Sequence, residues 1–343
     1  MAQNFLVFVV RRAINSVVAL LFLILLIFVL VHVLAPTPTD LARIYAASPH
    51  VPPAQLQIII RQYNLAAPLP VQFVDYVWNI FNGNFGLDTM FKVPELQLLL
   101  RYLPITLELV LSGLVVAIII GIFSGAIAAG NKGGYSDSGI RGIYLVTWSS
   151  PPFLVAFLIQ LVIAYDLKLL PPQNLVNPTL STPAIVTGFP LIDSLIAGDF
   201  VYFWSLIQHL ILPATAIAIT SFGVVTRLMR SSMIEALDKD YVKLAYMKGL
   251  GKRQVVYNTA FRNAVIPIIT LAALFFGTST AGAVIIESIF DYHGMGWFTV
   301  TSISNLDYIA ILGVTVVVGV TVIVANFIAD VLYGLADPRI RLE

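Results

Sequence analysis

Long apolar stretches separated by polar connections dominate the pattern of this sequence. A membrane-spanning helix needs about 20 mostly apolar residues to cross a hydrocarbon core about 30 Å thick. The stretches that meet this requirement are residues 14–34, 103–129, 143–165, 206–226, 264–286 and 308–333. None alternates with the two-residue period of a barrel strand, and backbone polar groups in lipid must be bonded within the segment. The pattern predicts an all-α polytopic membrane protein with six transmembrane helices.

The composition excludes a soluble protein. Hydrophobic residues make up 59% of the chain and charged residues only 11%, whereas soluble domains carry about 25% charged residues. The absence of cysteine excludes disulfides, thiolate catalysis and cysteine-ligated zinc. The first apolar run is too long for a signal peptide and lacks a small-residue cleavage site, so we expect it to remain as a helix.

The distribution of basic residues predicts the orientation. If the N-terminus is cytoplasmic, fourteen of the nineteen Lys and Arg residues fall on the cytoplasmic side and five on the other. Cytoplasmic loops of membrane proteins carry such an excess of Lys and Arg. Six helices with both termini in the cytoplasm are therefore expected.

The connections predict three regions in the chain. Residues 1–35 form an N-terminal transmembrane helix, residues 36–102 an extracytoplasmic segment, and residues 103–343 a transmembrane core with a cytoplasmic loop at 227–263. The extracytoplasmic segment contains an amphipathic stretch at 54–64 and the turn-rich sequence FNGNFGLD. Long connections of this kind are usually functional or disordered.

The cytoplasmic loop contains the basic sequence DYVKLAYMKGLGKRQV, residues 240–255. Asp240 is predicted to be the N-cap of a helix of about two turns, and Gly249 is predicted to follow its end as the C′ residue. A helix this short is marginal alone, so we expect contacts from outside to hold it.

Two interpretations of this short helix remain open. In the first, its basic residues lie against lipid headgroups like those of an ordinary cytoplasmic loop. In the second it docks on a partner, because helical spacing places Tyr241, Leu244, Ala245 and Lys248 on one face. Small Ala245 and Gly249 would then permit close approach, and Tyr241 would fill a cleft.

No motif in the chain carries catalytic chemistry. The sequence GLGK is not a nucleotide-binding loop, since a Walker A sequence needs G-x-x-x-x-G-K-[ST] and Lys252 is followed by Arg253. None of the four histidines belongs to an HExxH motif, and no serine nucleophile elbow is present. We therefore predict no catalytic residue, no cofactor and no metal site. The histidines are His32, His50, His209 and His293.

Two other features of the predicted helices bear on function. Carboxylates are costly in lipid, so Glu108, Glu287 and Asp330 are candidates for function, although their positions near helix ends also fit snorkelling or pairing with arginine. Gly121 and Gly125 form a G-x-x-x-G sequence suited to close helix contact. That contact is expected either within the chain or with a partner.

The run RLMRSSMIEALDKDYVKLAYMKGLGKRQVVYNTAFRNAVIPIIT, residues 227–270, resembles the cytoplasmic loop of ABC importer permeases of the dipeptide/oligopeptide/nickel family. In that family a YV…A…KGL segment forms a coupling helix that sits in a groove of the ATPase subunit, and an RNA..P segment follows. The resemblance implies an ATPase-coupling role for Tyr241, Val242, Leu244, Ala245, Lys248, Gly249, Leu250, Arg262 and Asn263.

The resemblance extends over nearly the whole chain. The sequences VVRRAINSVVALLFLILLIFVLVHVLAP, YNLAAPLPVQFVDYV, LPITLELVL, ESIFDYHGMG and DVLYGLADPRIRL are similar, in order, to segments of the B-type integral-membrane subunit. Lys243 departs from the wider superfamily, which has an acidic residue there. Asp291 and His293 also depart from the family pattern, which leaves the shape of that outer turn open.

The resemblance implies a type I permease fold and a function in solute import. The chain would form the translocation path for peptides or similar solutes delivered by an extracellular solute-binding protein, in the plasma or inner membrane. The implied partners are a second, homologous permease in a heterodimer, two ATP-binding-cassette ATPase subunits and the lipid membrane, and no nucleic acid. ATP hydrolysis would occur in the partner subunits, so the chain itself is not an enzyme.

Three alternatives were weighed against this function. The same architecture could carry oligosaccharides or nickel chelates. An ion-coupled secondary transporter needs ion sites midway through the membrane, and the sequence has neither a centrally placed carboxylate nor a clear internal repeat. An intramembrane enzyme needs a nucleophile–base or metal constellation, which the sequence lacks.

Overall fold

The computed structural model describes residues 2–46 and 51–336, and these are predominantly helical. A single isolated antiparallel bridge, Leu87 to Pro94, is the extended pairing found in this part of the chain. The α-helices are α1 (Ala2–Leu34), α2 (Pro38–Tyr45), α3 (Pro53–Gln62), α4 (Leu69–Phe81), α5 (Glu95–Gly130), α6 (Tyr135–Ser149), α7 (Pro152–Ile159), α8 (Pro190–Ile196), α9 (Phe200–Leu237), α10 (Asp240–Met247), α11 (Lys252–Gln254), α12 (Phe261–Ala264), α13 (Ile266–Ile289), α14 (Met295–Ser304) and α15 (Tyr308–Ala336). Two π-helical segments, Gln160–Asp166 and Val255–Ala260, follow α7 and α11.

Four helices in the described part of the chain are long and apolar enough to cross a membrane. Their segments are Val7–Leu34, Glu95–Gly130, Phe200–Leu237 and Tyr308–Val331, and they lie at four of the six predicted positions. A bent pair, α6 with α7 and its π-helical extension, adds a fifth if it forms one span. The predicted stretch 264–286 coincides with the 24-residue helix α13. The predicted cytoplasmic C-terminus, residues 337–343, and His50 lie outside the described residues.

The predicted span 143–165 is not one straight helix. Helix α6 ends at Ser149, and the next helical segment turns away by 103°. Ser150 is extended, with ψ 130°, because the residue before a proline is driven out of the helical region. Pro151 and Pro152 also lack the backbone N–H that a continuing helix requires. The apolar pattern across this break is continuous, which is why hydrophobicity alone predicted a single helix.

Helices α5 and α9 pack together through glycines. A Cβ atom added to Gly121 would lie 2.6 Å from Val225 Cβ, and one added to Gly125 would lie 2.6 Å from Met229 Cβ. Only a residue without a side chain lets two helix backbones approach this closely. Gly113 makes the same kind of contact with Ile217. The G-x-x-x-G sequence therefore serves a contact within this chain.

The three carboxylates predicted near helix ends all have partners. Asp330 pairs with Arg12 at 3.2 Å, which confirms arginine pairing for that residue and joins α15 to α1. Glu108 accepts a hydrogen bond from the Leu191 backbone N–H at 3.3 Å, at the start of α8. The third, Glu287, lies at the outer turn.

Glu287 determines the shape of the outer turn that the sequence left open. Its fully buried carboxylate accepts hydrogen bonds from the Thr106 hydroxyl at 2.6 Å and the Trp297 backbone N–H at 3.0 Å. Thr106 in turn accepts the Met295 backbone N–H at 2.7 Å. A carboxylate at a helix N-terminus satisfies orphan donors and interacts favourably with the helix dipole. The turn is therefore fixed against both α5 and the first turn of α14.

The residues before α5 form a layer on α1 and α15. Apolar side chains of α2 and α3, including Leu41 and Ile60, share a cluster with Val31 and Val316. His32 is hydrogen-bonded to the Gln72 side chain at 2.9 Å, as expected for a histidine in a packing role. The amphipathic stretch predicted at 54–64 is α3.

Candidate functional site

Helix α10 is the short helix predicted in the cytoplasmic loop, and it begins one residue earlier than expected. The N-cap is Lys239, with ψ 153°, and Asp240 occupies the first turn. The Asp240 carboxylate accepts a hydrogen bond from Lys243 Nζ at 2.8 Å, and this bond lowers the pKa of Asp240 below its ordinary value. Asp240 is therefore not the N-cap, but its charge still lies at the helix end where the dipole favours an anion.

The end of α10 is the one predicted. Gly249 has φ 78°, which a residue without a Cβ adopts at no steric cost. Its N–H donates to the Tyr246 carbonyl at 2.9 Å, and the Leu250 N–H donates to the Ala245 carbonyl at 3.3 Å. This pair of bonds is the Schellman motif. A Cβ on Gly249 would meet no atom of this chain within 4 Å, so backbone conformation and not space requires the glycine.

The buried face of α10 differs from the predicted docking face. Val242 and Ala245 are buried, with Ala245 only 6% exposed, so the side chain of Ala245 packs against its own chain. Tyr241, Leu244 and Lys248 are exposed as predicted. Met247, which is not among the four residues predicted for the docking face, is 76% exposed and extends the exposed surface. We call Tyr241, Leu244, Met247 and Lys248 the α10 surface.

An apolar cluster anchors α10 to the long helices. Side chains from the ends of α5 and α9 meet those of α10 and of the segment that follows α10. This anchoring explains how an eight-residue helix is stable, since helices this short are marginal alone and gain their stability from tertiary contacts. The cluster consists of Ala126, Ala129, Val225, Met229, Met233, Ala236, Val242, Ala245, Val255, Val256, Ala260, Ala264 and Ile268, and Leu250 packs against it.

A buried ion pair joins the first turn of α6 to α9 at the same end of the molecule. Asp137 accepts hydrogen bonds from Arg230 Nε at 2.6 Å and Nη2 at 2.8 Å. The Gly133 N–H donates to the same carboxylate at 3.0 Å. A two-pronged contact of this kind fixes orientation as well as charge. No local pattern indicates this pair, because the two residues are 93 positions apart.

Arg262 and Asn263 lie beyond α10, on the short helix α12. Both are exposed, and Asn263 Nδ2 donates to the Thr259 carbonyl at 3.5 Å. Pro267 stands in the first turn of α13, where its missing N–H is tolerated. The structure thus brings Val242, Ala245 and Leu250 together in the cluster and leaves the remaining predicted residues at the surface.

Exposed basic residues surround α10. Lys239 bonds Glu235 at 2.9 Å, and this contact raises the pKa of Lys239. In the part of the chain that the structure describes, no three His, Asp or Glu residues are arranged to hold a metal ion. The α10 surface is thus an exposed surface on a helix that the buried apolar cluster holds in place.

Comparison with known families decides what kind of protein carries this surface. Residues 117–342 match the model for the binding-protein-dependent transport system inner membrane component, and residues 5–95 match the model for the N-terminal part of such components. The chain belongs to this family. The family places it in the membrane as a permease component of an ABC importer, whose ATPase activity resides in separate subunits.

Individual relatives align over nearly their whole length. The chain is 36% identical over 313 residues to the probable D,D-dipeptide transport system permease protein DdpB of Escherichia coli K12, covering 91% of each chain. It is 35% identical over 317 residues to the di/tripeptide transport system permease protein DppB of Pseudomonas aeruginosa, covering 92% of this chain and 93% of the relative. The dipeptide transport system permease protein DppB of E. coli K12 is 31% identical over 338 residues, with 97% and 98% covered.

Proposed function

We propose that this permease carries short peptides and is driven through α10 by ATPase subunits. The observation that supports the coupling role is the anchored α10 with its exposed surface of Tyr241, Leu244, Met247 and Lys248. The peptide substrate is proposed from the names of the relatives, which are described as dipeptide or di/tripeptide permeases.

The proposed topology has six spans and cytoplasmic termini. Helices α1, α5, α9, α13 and α15 each provide one span, and α6 with α7 provides a broken one. The excess of Lys and Arg on the side of α10 supports this orientation. The division into residues 1–35, 36–102 and 103–343 follows from it.

The proposed assembly contains four further subunits. A homologous permease completes the translocation path, two ATPase subunits bind on the cytoplasmic side, and a solute-binding protein delivers the substrate outside. In this assembly the α10 surface lies in a groove of one ATPase subunit. Because Val242 and Ala245 hold α10 to the cluster, movement of that ATPase subunit would be transmitted to the ends of α5 and α9. Arg262 and Asn263 are proposed to support the same contact.

An ion-coupled carrier is less well supported by the described contacts. Glu287 and Asp330 lie near the ends of α13 and α15, whereas ion coupling needs sites near the bilayer midplane. Glu108 lies further inside α5 than the sequence predicted, because that helix begins at Glu95. All three carboxylates are bonded to partners within the chain. Oligosaccharides or nickel chelates remain alternative cargoes of the same architecture. The ligand retained by the purified solute-binding protein distinguishes these cargoes from peptides.

Leu244→Glu tests the coupling role. It places a charge on an exposed side chain of the α10 surface without disturbing the buried cluster. Loss of a central interface contact typically costs 2 kcal/mol or more, so we expect the ATPase subunits to bind about 30-fold more weakly. Co-purification of the ATPase subunits and peptide-stimulated ATP hydrolysis measure the effect.

Tyr135→Glu is the matched control, because Tyr135 is a fully exposed aromatic residue at the start of α6. It should leave both readouts unchanged. Equal loss from Leu244→Glu and Tyr135→Glu, or no loss from Leu244→Glu, would contradict a specific contact through α10.

A further inference from the structure

A cavity of about 580 Å³ lies at the end of the molecule opposite α10. One wall is the start of α5, including Arg101 and Ile105, and the other is the connection between the first π-helical segment and α8. Small-molecule sites in proteins typically measure about 300–1,000 Å³. This cavity has the size of a site for a short peptide.

The connection that covers the cavity is held by hydrogen bonds and does not depend on a ligand. Asp193 accepts the Thr187 backbone N–H and hydroxyl, both at 2.7 Å, and the Gly188 N–H at 3.0 Å. The Asn174 N–H donates to the Phe290 carbonyl at 2.9 Å. Gln160 Nε2 donates to the Pro172 carbonyl at 2.9 Å. These bonds preform the cavity, and preformed sites lose less entropy on binding.

Arg101 is the charged group in this cavity that is available to a ligand. None of the ion pairs between described residues includes Arg101. Asp193, the carboxylate in the lining, is buried and already accepts three hydrogen bonds. His293, also in the lining, has its Nε2 atom 3.4 Å from Asp291 Oδ1, and its ring packs at a tilt against that of Trp297. Arg101 therefore offers a positive charge that no carboxylate among the described residues neutralises.

The rest of the lining is largely apolar. Leu100, Ile105, Leu175 and Ile185 contribute to it. A guanidinium group binds a carboxylate through two parallel hydrogen bonds, while the apolar side chains fit an apolar group beside that carboxylate. An uncharged sugar has no carboxylate to form this paired, charge-assisted contact.

We propose that this cavity binds a short peptide by its C-terminal carboxylate, with Arg101 as the carboxylate-binding residue and the apolar lining around the last side chain. This proposal rests on the proposed function, since it assumes that peptides are the substrate. It assigns the recognition of one end of the peptide to the permease itself.

A thiol-protection assay on the assembled importer tests the site. The chain has no cysteine, so Ile185→Cys, made with cysteine-free partner subunits, gives one reporter at the cavity. Val74→Cys gives a reporter of similar exposure on α4. The complex in nanodiscs, without the binding protein, is labelled by a maleimide while the dipeptide Ala-Phe or its C-terminal amide is titrated.

Ala-Phe should slow labelling at Ile185→Cys and leave Val74→Cys unaffected. Arg101→Gln should raise the half-protecting concentration of Ala-Phe at least about tenfold, in keeping with the loss of a charge-assisted hydrogen bond. Arg101→Lys should restore part of the protection. The amide should protect poorly with either residue at 101. Arg61→Gln, at an exposed arginine of α3, is the matched control and should change nothing.

Three results would overturn the proposal: no protection by Ala-Phe, protection unchanged by Arg101→Gln, or equal protection by the acid and the amide. The same complexes reconstituted in sealed proteoliposomes, with the solute-binding protein added, distinguish this failure from failure of the proposed function. If the ATPase subunits attach normally and ATP-driven peptide uptake is normal but Ala-Phe gives no protection, the cavity site is contradicted and the proposed function is not. Absence of uptake of any peptide would contradict the proposed function.

Discussion

The contact between α5 and α9 leads to a quantitative prediction for Gly121→Ala. The new Cβ would lie 2.6 Å from Val225 Cβ and 3.2 Å from the Phe222 carbonyl oxygen, whereas ordinary contacts begin at 3.4 Å. The helices would have to separate by roughly 0.8 Å, and overpacking of this kind costs about 1–3 kcal/mol. At an unfolding entropy of about 2.1 cal/mol/K per residue, a chain of 343 residues would lose about 1–4 °C in melting temperature.

Thermal unfolding of the detergent-purified protein, followed by circular dichroism, measures this shift. Gly139→Ala is the control, because Gly139 also lies in a helix, α6, and a Cβ there meets no atom within 4 Å. It should be neutral or slightly stabilising, since alanine is the better helix former by about 1 kcal/mol. In a Val225→Gly background, which lacks the clashing side chain, Gly121→Ala should cost less than it does in the native sequence. Equal shifts for Gly121→Ala and Gly139→Ala would refute the argument from close contact.

Two further predictions concern the ion pair and the topology. Arg230→Gln leaves Asp137 buried without its charged partner and should cost about 3–5 kcal/mol in unfolding free energy. The control Arg141→Gln, at an exposed arginine 3.9 Å from the same carboxylate, should cost at most about 1 kcal/mol. A larger loss from Arg141→Gln than from Arg230→Gln in chemical unfolding would contradict the assignment. Met90→Cys, at an exposed residue on the proposed outer side, should react with a membrane-impermeant thiol reagent in intact cells. Lys252→Cys should react only after permeabilisation. Labelling of Lys252→Cys in intact cells would overturn the proposed orientation.

Features governed by local chemistry were predictable from the sequence. The end of α10 follows from Gly249, because a glycine after a short helical run is the usual place for a positive φ. Four of the predicted apolar stretches lie within helices long enough to span a membrane. The proline pair at 151–152 also indicates a helix break, but the prediction of one span at 143–165 followed the continuous apolar run across it.

Features governed by distant partners were not predictable. The spacing within α10 gives the relative positions of Tyr241 and Ala245 but not which face packs inward, since that depends on Met233 and Val255 of the surrounding cluster. Glu287 bonds Thr106, which is 181 residues away. The Arg101 cavity needs a connection folded over α5, which no periodicity in that connection indicates.

The glycine contact has a mechanical consequence. Helices α5 and α9 contain 36 and 38 residues, so each is about 55 Å long at 1.5 Å per residue. Because the two helices are packed together at their glycines, they can move as one rigid unit. Arg101 lies near one end of this unit, in the first turns of α5, and the cluster that holds α10 lies at the other end. A rotation of about 5° around the middle of such a unit would displace each end by about 2.4 Å, enough to break a hydrogen bond at Arg101 when the ATPase side moves.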